Sequence, residues 1–583
     1  MKRVLLCGLA FVAFSAQAKT PAADMVFRNA YVYTVDAKNS VAQALAVKDG
    51  RVVYVGDEAG AKVFTGRKTQ VIDLKGRMVM PGLIDGHMHP QSGGLRMLSC
   101  NLNYESLTIA EFQARIQKCV DEDKTSGPND WLEVINWFEQ GAKPAGTVLT
   151  RAALDGVKTT RPIKVHSSFG HSNLTNTRGL QLAGITRETP DPKDGVIVRD
   201  TAGEPTGLLQ DAAQDLVDRL VPPPSVEKNY QATQLALKAM REQGITTFLD
   251  AYTDIETMTA YRTVSKEGRL TARAHFAVLI DSPADYDADK AIAEVLKEKA
   301  EFEQTPVGAR PIMKVDTAKL FLDGVYSAPA FSAVMVEPYF ENGRPGHNYG
   351  PKPYFSQAQL DDTLIKLAAA GLNPHMHADG DGSVRMGLNA VEAMRKVHPA
   401  DDIRPAIAHD EIVDPADYKR YAEVGALPVL SFQWERPSID IMQSMPALGP
   451  VRSALMEPAG LLEIYGARIV YGSDWPVDAL DEWLALQIAV TRQAIGEDAV
   501  KYPDRLGIDP GLTVAQAVRA ITLNAAYSLR QDKETGSLEA GKFADLIVLD
   551  RNLFQIKPEE IGGTQVLLTM VGGKIVYEAE DLK

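Results

Sequence analysis

The middle of the chain alternates short apolar runs with longer stretches of helical periodicity. This alternation is typical of a parallel α/β fold, in which each buried strand is followed by a helix that packs on the sheet. Eight apolar runs have the length of a strand, and eight such units predict a (β/α)₈ barrel of the TIM type. The predicted strand cores are residues 83–88, 245–251, 272–279, 315–322, 372–378, 404–409, 427–432 and 469–474.

The two ends of the chain carry a different pattern, in which short strands alternate with turns. Asp49-Gly50 between apolar runs predicts a hairpin near the N-terminus, and Gly572-Gly573 marks a similar turn near the C-terminus. Neither segment is large enough to be stable alone. We therefore expect residues 19–80 and 530–583 to form one β-sandwich that flanks a barrel domain at residues 81–529.

The interval between the first two predicted strands is far too long for a single crossover helix. Residues from about 91 to 225 are therefore expected to form an inserted subdomain, in which Thr108 and Glu111 have the spacing of a capping box before a helix. A second irregular segment, residues 326–355, is rich in proline, glycine and aromatic residues. Because it follows a barrel strand, it is predicted to be an active-site loop.

The first 18 residues have the pattern of a secretory signal, with two basic residues, an apolar run and an Ala-x-Ala site that ends at Ala18. A membrane anchor is the less favoured interpretation because the apolar run is too short to span a bilayer. We expect the mature protein to begin at Lys19 and to be exported to the periplasm.

The amino-acid composition limits the class of molecule that the protein is expected to bind. The formal net charge is −14, and it becomes −16 once the two basic residues of the signal are removed. An acidic chain without basic runs is not expected to bind nucleic acid or, after signal cleavage, a membrane. The expected partner is a small-molecule substrate, and a homodimer is left open.

Three cysteines are present, and Cys7 lies in the predicted signal. Cys100 and Cys119 remain, and an even pair in an exported chain predicts a disulfide. Two free buried thiols are the alternative. Neither cysteine has the Cys-x-x-Cys partner that a zinc ligand would be expected to have.

Candidate metal ligands begin at His87-Met88-His89, at the end of the first predicted strand. Residues i and i+2 of a strand point to the same face, so the two imidazoles lie side by side, as one metal ion requires. The pair alone is weak evidence, because most histidine pairs are ordinary surface or core residues. Three further donors lie at the ends of later predicted strands, namely His377, His409 and Asp474.

Lys319 is a cation inside an otherwise apolar strand. A buried lysine without a partner is costly, so it requires an explanation. One interpretation is an ion pair with Asp323. The other is a lysine carbamate, an anionic ligand with two oxygens that can bridge two metals. The whole donor set suits one or two divalent ions, most readily Zn²⁺.

Several motifs carry a resemblance to a known family. They are PGLIDGHMH at residues 81–89, GEPTG at 203–207, KLFLDG at 319–324, HADGD at 377–381, GSDWP at 472–476 and GKFADL at 541–546. With these motifs the chain resembles the amidohydrolase superfamily, specifically the amidohydrolase-3 or YtcJ-like group, which includes N-substituted formamide deformylases. The resemblance covers nearly the whole mature chain.

The resemblance implies a barrel flanked by a β-sandwich and a role for each donor. His87, His89 and Asp474 would hold a first metal, His377 and His409 a second, and a carboxylated Lys319 would bridge them.

The resemblance also implies that His171 lies near the substrate, although a satisfied polar core residue remains the alternative for it. The chain departs from the family pattern at Ala408, where glutamate is frequent, and at Trp434, where proline is usual. Those departures concern the substrate rather than the metal ligands.

The expected activity is that of a metal-dependent amidohydrolase acting on a non-peptide C–N bond in an amide, N-formyl, carbamate or N-acyl group. A divalent metal supplies hydroxide at neutral pH because it lowers the pKa of bound water to about 7. Asp474 is expected to accept the proton and return it to the leaving nitrogen. A lactone, ester or phosphoester hydrolase is the enzymatic alternative, and a catalytically silent metal-binding scaffold is the non-enzymatic one.

Overall fold

The computed structural model describes residues 22–124, 126–168, 170, 172–192, 195–282, 285–328 and 330–582. The predicted signal at residues 1–18 and the predicted substrate residue His171 lie outside these described residues. Within the ranges given, none of the helices has both the length and the apolar character that crossing a bilayer requires.

Eight parallel strands form one sheet in chain order, as predicted from the apolar runs. They are β1 (Leu83–Met88), β2 (Ile245–Thr253), β3 (Arg273–Leu279), β4 (Met313–Phe321), β5 (Asn373–Ala378), β6 (Ala406–His409), β7 (Leu427–Leu430) and β8 (Val470–Tyr471).

The barrel is nearly closed, because hydrogen bonds join the end of β8 to β1. The Asp474 amide donates to the His87 carbonyl at 2.8 Å, and the Ser473 amide donates to Asp85 Oδ1 at 3.1 Å. The alternation of apolar runs and helical stretches therefore identified the α/β class and the barrel correctly.

Helices follow the barrel strands and begin and end at residues suited to those positions. The first long one is Val226–Gln243: the Ser225 side chain accepts a hydrogen bond from the Lys228 amide at its start, and Gly244 ends it with a left-handed φ of 91°. The others are Pro90–Met97, Ile255–Lys266, Ala288–Phe302, Gln357–Ala369, Asp381–Val397, Tyr418–Val424, Ile439–Leu455, Ala459–Ile464, Glu482–Thr491, Gly496–Lys501, Val514–Arg519 and Ala525–Ser528.

Strands from both ends of the chain share one sheet. Met78–Pro81 pairs antiparallel with Leu546–Leu549, within the order Lys574–Glu578, Val566–Val571, Leu546–Leu549, Met78–Pro81, Tyr31–Tyr33 and Val41–Ala42. A second sheet has the order Arg51–Gly56, Ala44–Lys48, Met25–Arg28 and Gln70–Asp73. Phe27 and Leu45 of the second sheet share one apolar cluster with Val79 and Val548 of the first. The exact domain limits stay predictions.

The interval after β1 contains its own six-stranded sheet. Its order is Gly195–Arg199, Pro205–Asp211, Ser172–Thr175, Ile163–Ser167, Leu132–Trp137 and Cys100–Asn101. The helix Ile109–Glu122 begins at the capping box of Thr108 and Glu111, as predicted. A disulfide joins Cys100 in the edge strand to Cys119 in this helix.

The insertion also contacts the loop that follows β8. Arg96 donates to the Pro476 carbonyl at 2.6 Å and to Asn136 Oδ1 at 3.0 Å. The Tyr104 hydroxyl donates to the same carbonyl at 2.9 Å. The inserted subdomain therefore helps to hold the chain just after Asp474.

The segment after β4 is irregular, as predicted for residues 326–355. Its described residues include the two-residue strands Phe340–Glu341 and Arg344–Pro345 and contain no helix. Asp323 fixes its course, because this buried carboxylate accepts hydrogen bonds from the Val334 amide at 2.9 Å and the Ser383 hydroxyl at 2.6 Å. Residues of this segment thereby come to lie at the barrel mouth.

Candidate active site

A cavity of about 220 Å³ lies at the carboxyl ends of the barrel strands. This is the end of a (β/α)₈ barrel at which active sites are built. Every described donor predicted from the sequence lines the cavity: His87, His89, Lys319, His377, His409 and Asp474. The spacing of donors along the chain therefore matches their convergence in space.

The first group of donors is centred on Asp474. Its Oδ1 lies 3.0 Å from His89 Nε2 and 3.5 Å from His87 Nε2. Donor atoms of His87, His409 and Asp474 all lie within 4.8 Å of one another. His87 Nε2 is buried and has no hydrogen-bond partner among the described residues. A buried nitrogen without a hydrogen-bond partner fits a metal ligand. The distances between these donor atoms fit as well, because two ligands of one zinc ion, each bonded at about 2.0–2.2 Å, lie at a comparable distance from each other.

The second group adjoins the first, because His409 belongs to both. Donor atoms of His377, Asp379 and His409 lie within 4.8 Å of one another. His377 Nε2 is 3.5 Å from Asp379 Oδ1. His377 Nδ1 is 3.4 Å from Asp323 Oδ1 but makes no well-aligned hydrogen bond with it. The residues present therefore fit one or two divalent ions.

Two histidines of the first group, His87 and His409, are held in the neutral form that metal binding requires. Burial lowers the pKa of His87 well below its usual value, and the Lys319 charge lowers it further. Burial likewise lowers the pKa of His409, with further contributions from His377 and Lys319. Metal binding requires neutral imidazole, so neither side chain has to lose a proton at neutral pH before it can coordinate.

Lys319 is buried and lines the same cavity as these donors. In the described part of the chain it forms no ion pair, and its Nζ lies 4.7 Å from the centre of the Phe321 ring. Asp323, the alternative partner predicted from the sequence, instead accepts from the Asp379 amide at 3.1 Å. Burial lowers the pKa of Lys319 to about 8, although Asp474 and Asp379 oppose this shift. A fraction of the side chain is therefore a neutral amine at physiological pH.

The comparison with known families decides the assignment. The sequence profile of the amidohydrolase family matches residues 70–577. This chain belongs to the amidohydrolase family. The N-substituted formamide deformylase of Arthrobacter pascens is 28% identical over 572 residues, which cover 95% of this chain and 98% of that protein. YtcJ of Bacillus subtilis is 28% identical over 565 residues, covering 95% of this chain and 99% of YtcJ.

A solved structure shares the fold of this amidohydrolase. A metal-dependent hydrolase from Pyrococcus horikoshii superposes with a TM-score of 0.68 at 21% identity, and the match covers 92% of this chain and 99% of that one. The resemblance derived from the sequence motifs is therefore confirmed. So is the prediction that the chain is an enzyme of the class that hydrolyses carbon–nitrogen bonds other than peptide bonds.

Two carboxyl groups of the amidohydrolase site were not assigned from the sequence. Asp379 and Glu411 line the cavity and are hydrogen-bonded to each other. Burial raises the pKa of Asp379 to about 6 and that of Glu411 well above its usual value. Each follows a histidine by two residues, His377 and His409 respectively. That spacing, already used for His87 and His89, was the signal that could have identified them.

His375 lies two residues before His377 in β5, on the same face of the strand but deeper in the barrel. Its role was not predicted from the sequence. Its Nε2 lies 2.8 Å from His87 Nδ1, and the side chain is buried. A hydrogen bond to the second ring nitrogen orients a metal-binding imidazole. His375 is therefore a positioning residue for His87.

The backbone is strained at two of the donors. His409 has a φ of 85° and Asp474 a φ of 53°, although neither is glycine. Such conformations persist where surrounding contacts enforce them, and they are frequent at functional sites. At Asp474 the contacts include Asp85, which accepts from the His87 amide at 3.0 Å and from the Ser473 amide at 3.1 Å.

Proposed function

We propose that this amidohydrolase cleaves a non-peptide C–N bond in a small molecule, within an amide, N-formyl, carbamate or N-acyl group, and that its metal is zinc. The observation that carries the proposal is the pair of adjoining donor groups that share His409 in a cavity of about 220 Å³. A cavity below the roughly 300–1,000 Å³ usual for drug-sized ligands favours a small substrate.

The donor set supports the choice of metal. Imidazole nitrogens combined with carboxylate oxygens suit zinc. His87, His89 and Asp474 would hold one ion, and His377 and His409 a second, with Asp379 as an additional donor near the latter. A bound divalent ion would lower the pKa of water to about 7 and polarise the substrate carbonyl.

Asp474 would move the proton. Its Oδ1 faces both His87 and His89, and we assign to Oδ2 the proton taken from the attacking water and given to the leaving nitrogen. The leaving group must gain a proton because an amide anion is a very poor leaving group.

Lys319 would be carboxylated. Its neutral amine would attack carbon dioxide, forming a carbamate and releasing one proton. The change from a buried cation to an anion would remove the cost of an unpaired charge beside two cations. Its burial, its missing ion pair in the part of the chain described and the lowered pKa of about 8 all support this assignment.

We also propose a cell compartment, a sandwich domain and a class of binding partner. We propose export to the periplasm on the basis of the signal-like residues 1–18, and the Cys100–Cys119 disulfide supports an oxidising compartment. We propose that the two terminal sheets form a β-sandwich, supported by the apolar cluster that they share. The acidic charge of −14 supports a small-molecule partner rather than nucleic acid.

A metal assay joined to a substrate panel tests the proposal. The purified protein should contain one or two zinc ions per chain by mass spectrometry, lose activity on chelation and regain it with Zn²⁺. N-formyl, N-acyl and carbamate compounds should be hydrolysed faster than matched lactones, esters and phosphoesters.

Asp474→Asn should lower kcat by at least about 100-fold, the contribution typical of a proton-transfer group. The control Asp504→Asn changes an exposed carboxylate and should leave kcat unchanged. Turnover confined to esters or phosphoesters would contradict the proposed bond, and full activity of metal-free protein would contradict the proposed chemistry.

A further inference from the structure

The cavity has lining residues that the metal ligands and the proton transfer do not use. Four of them are Phe321, Tyr326, Trp434 and Asp440. Three are aromatic and one is a carboxylate, so they differ in chemistry from the histidine-rich ligand set. An aromatic surface beside a carboxylate is the arrangement that recognises an alkylammonium group.

Asp440 is a carboxylate without a counter-charge. Within the described residues its side chain makes neither a hydrogen bond nor an ion pair, although it is partly exposed to the cavity. Arg436, four residues earlier in the chain, instead pairs with Asp498 Oδ2 at 3.7 Å. Asp440 also lies in the first turn of the helix Ile439–Leu455. The helix dipole accounts for an acid at that position, but it does not supply a partner for the charge.

Trp434 is held so that its indole faces a fixed direction. Its Nε1 donates to Asp478 Oδ2 at 2.7 Å. Its ring lies 5.9 Å from that of His409 with an angle of 22° between the planes. Tyr326 is buried at 4% exposure in the irregular segment after β4. Rigid aromatic rings lose little entropy when they bind a cation.

The charged residues that line the cavity do not favour an anionic group on the substrate. Lys319 is the one lysine or arginine among the described cavity residues, and the proposed function commits it to the metal site. No described cation therefore remains to receive an anionic substrate group, whereas Asp440 remains to receive a cationic one.

We propose that Asp440, together with Trp434 and Tyr326, selects small amides that carry a protonated amine in addition to the bond that is cleaved. The inference rests on the proposed function, because it names the substrate class of the same site. Asp440 is a specificity determinant in it and takes no part in proton transfer.

A matched set of substrates tests the preference. N-formyl-1,4-diaminobutane carries an ammonium where N-formylpentylamine carries a methyl group, and N-formyl-5-aminopentanoate carries a carboxylate there. With zinc-loaded wild-type protein, kcat/KM should be at least tenfold higher for the ammonium compound than for the neutral one, and lowest for the carboxylate.

Asp440→Asn should lower kcat/KM for the ammonium compound by 10-fold or more and change it less than twofold for the neutral one. The control Asp498→Asn alters a neighbouring carboxylate that does not line the cavity, and the ammonium preference should survive it. If Asp440→Asn folds poorly by circular dichroism, Asp440→Glu keeps the charge and should keep the preference. Equal losses for both substrates in Asp440→Asn, or no preference in the wild type, would overturn the inference.

A binding measurement separates this inference from the proposed function. Pentyltrimethylammonium cannot ligate a metal, and by calorimetry it should bind wild-type protein at least tenfold more tightly than Asp440→Asn. Failure to hydrolyse any of the formamides, with this binding intact, would contradict the N-formyl chemistry alone. Hydrolysis without an Asp440-dependent preference, or equal binding by the two proteins, would contradict the cation site alone.

Discussion

A buried ion pair joins the barrel to the C-terminal strands. Arg273 at the start of β3 donates to Asp545 Oδ2 at 2.7 Å and Oδ1 at 3.1 Å. Asp545 immediately precedes the strand Leu546–Leu549 and also accepts from the Gly572 amide at 2.7 Å. The exposed fractions of the two side chains are only 3% and 2%. Breaking this pair should loosen the C-terminal strands from the barrel.

The expected loss of stability depends on the charged group that each substitution leaves buried. Removing one partner of a buried pair costs about 3–5 kcal/mol, because the other charge stays buried. Arg273→Met leaves Asp545 with its bond from Gly572, so we expect the low end of that range, about 3 kcal/mol. Asp545→Leu leaves the guanidinium with the Ala309 carbonyl at 3.0 Å, and a similar cost follows. The double variant should cost little more than either single one, because neither charge is then left without its partner.

Hydrogen–deuterium exchange measures this opening locally, which suits a chain too large for simple two-state unfolding. A loss of about 3 kcal/mol corresponds to exchange faster by on the order of 100-fold in the amides of Leu546–Leu549. Arg28→Met is the matched control, since Arg28 and Asp73 pair at 2.9 Å with side chains 50% and 38% exposed. That pair should contribute no more than about 1 kcal/mol. Additive effects in the double variant, or unchanged exchange in Arg273→Met, would refute the reasoning.

Four further predictions concern single side chains. Lys319→Ala should lose most bound metal and activity, with partial rescue by short carboxylic acids, whereas Lys314→Ala on the other face of the strand should keep both; retained metal in Lys319→Ala would count against the carbamate. His375→Leu should weaken metal binding by about 10–100-fold in a chelator competition, and His375→Gln by less; equal affinities would exclude a positioning role. His171→Ala should raise KM or lower kcat at unchanged metal content, so parallel loss of metal would make His171 a ligand. Burial, aided by the charges of Lys164 and Arg96, lowers the pKa of His166 to about 3, so local unfolding takes up a proton below about pH 6.5. Acidification from pH 7 to 5 should therefore cost about 1–2 kcal/mol more in the wild type than in His166→Gln, measured by hydrogen–deuterium exchange in the strand Ile163–Ser167; the same pH dependence in both proteins would contradict this.

The barrel could be predicted because its strands are buried on both faces. A strand such as β7, with the sequence LPVL and every residue buried, reads as a continuous apolar run, and its length distinguishes it from the helical stretches around it. The convergence of the candidate ligands at one cavity could be predicted because parity along a strand fixes which side chains share a face. His87 and His89 at one strand end, with Asp474 at another, therefore pointed to one mouth of the barrel.

The depth of a side chain in the barrel and the identity of its hydrogen-bond partners could not be predicted in the same way. Parity places His375 and His377 on one face, but only the register between strands shows that His375 reaches His87 rather than the cavity. Asp323 looked like a partner for Lys319 because of its sequence proximity, yet backbone amides from residues more than ten positions away occupy its oxygens. Pairs of this kind depend on contacts between segments that the local pattern does not connect.

The inserted subdomain after β1 contacts the chain beside Asp474, the residue that is proposed to transfer the proton. Arg96 and Tyr104 belong to its first residues, and both donate to the carbonyl of Pro476, two residues beyond Asp474. Asp474 has a strained φ of 53°, so its placement depends on contacts from its surroundings. The inserted subdomain thus supports the carboxylate that is proposed to transfer the proton. Changes in the insertion that adapt it to another substrate can therefore alter the rate of the chemical step as well as binding.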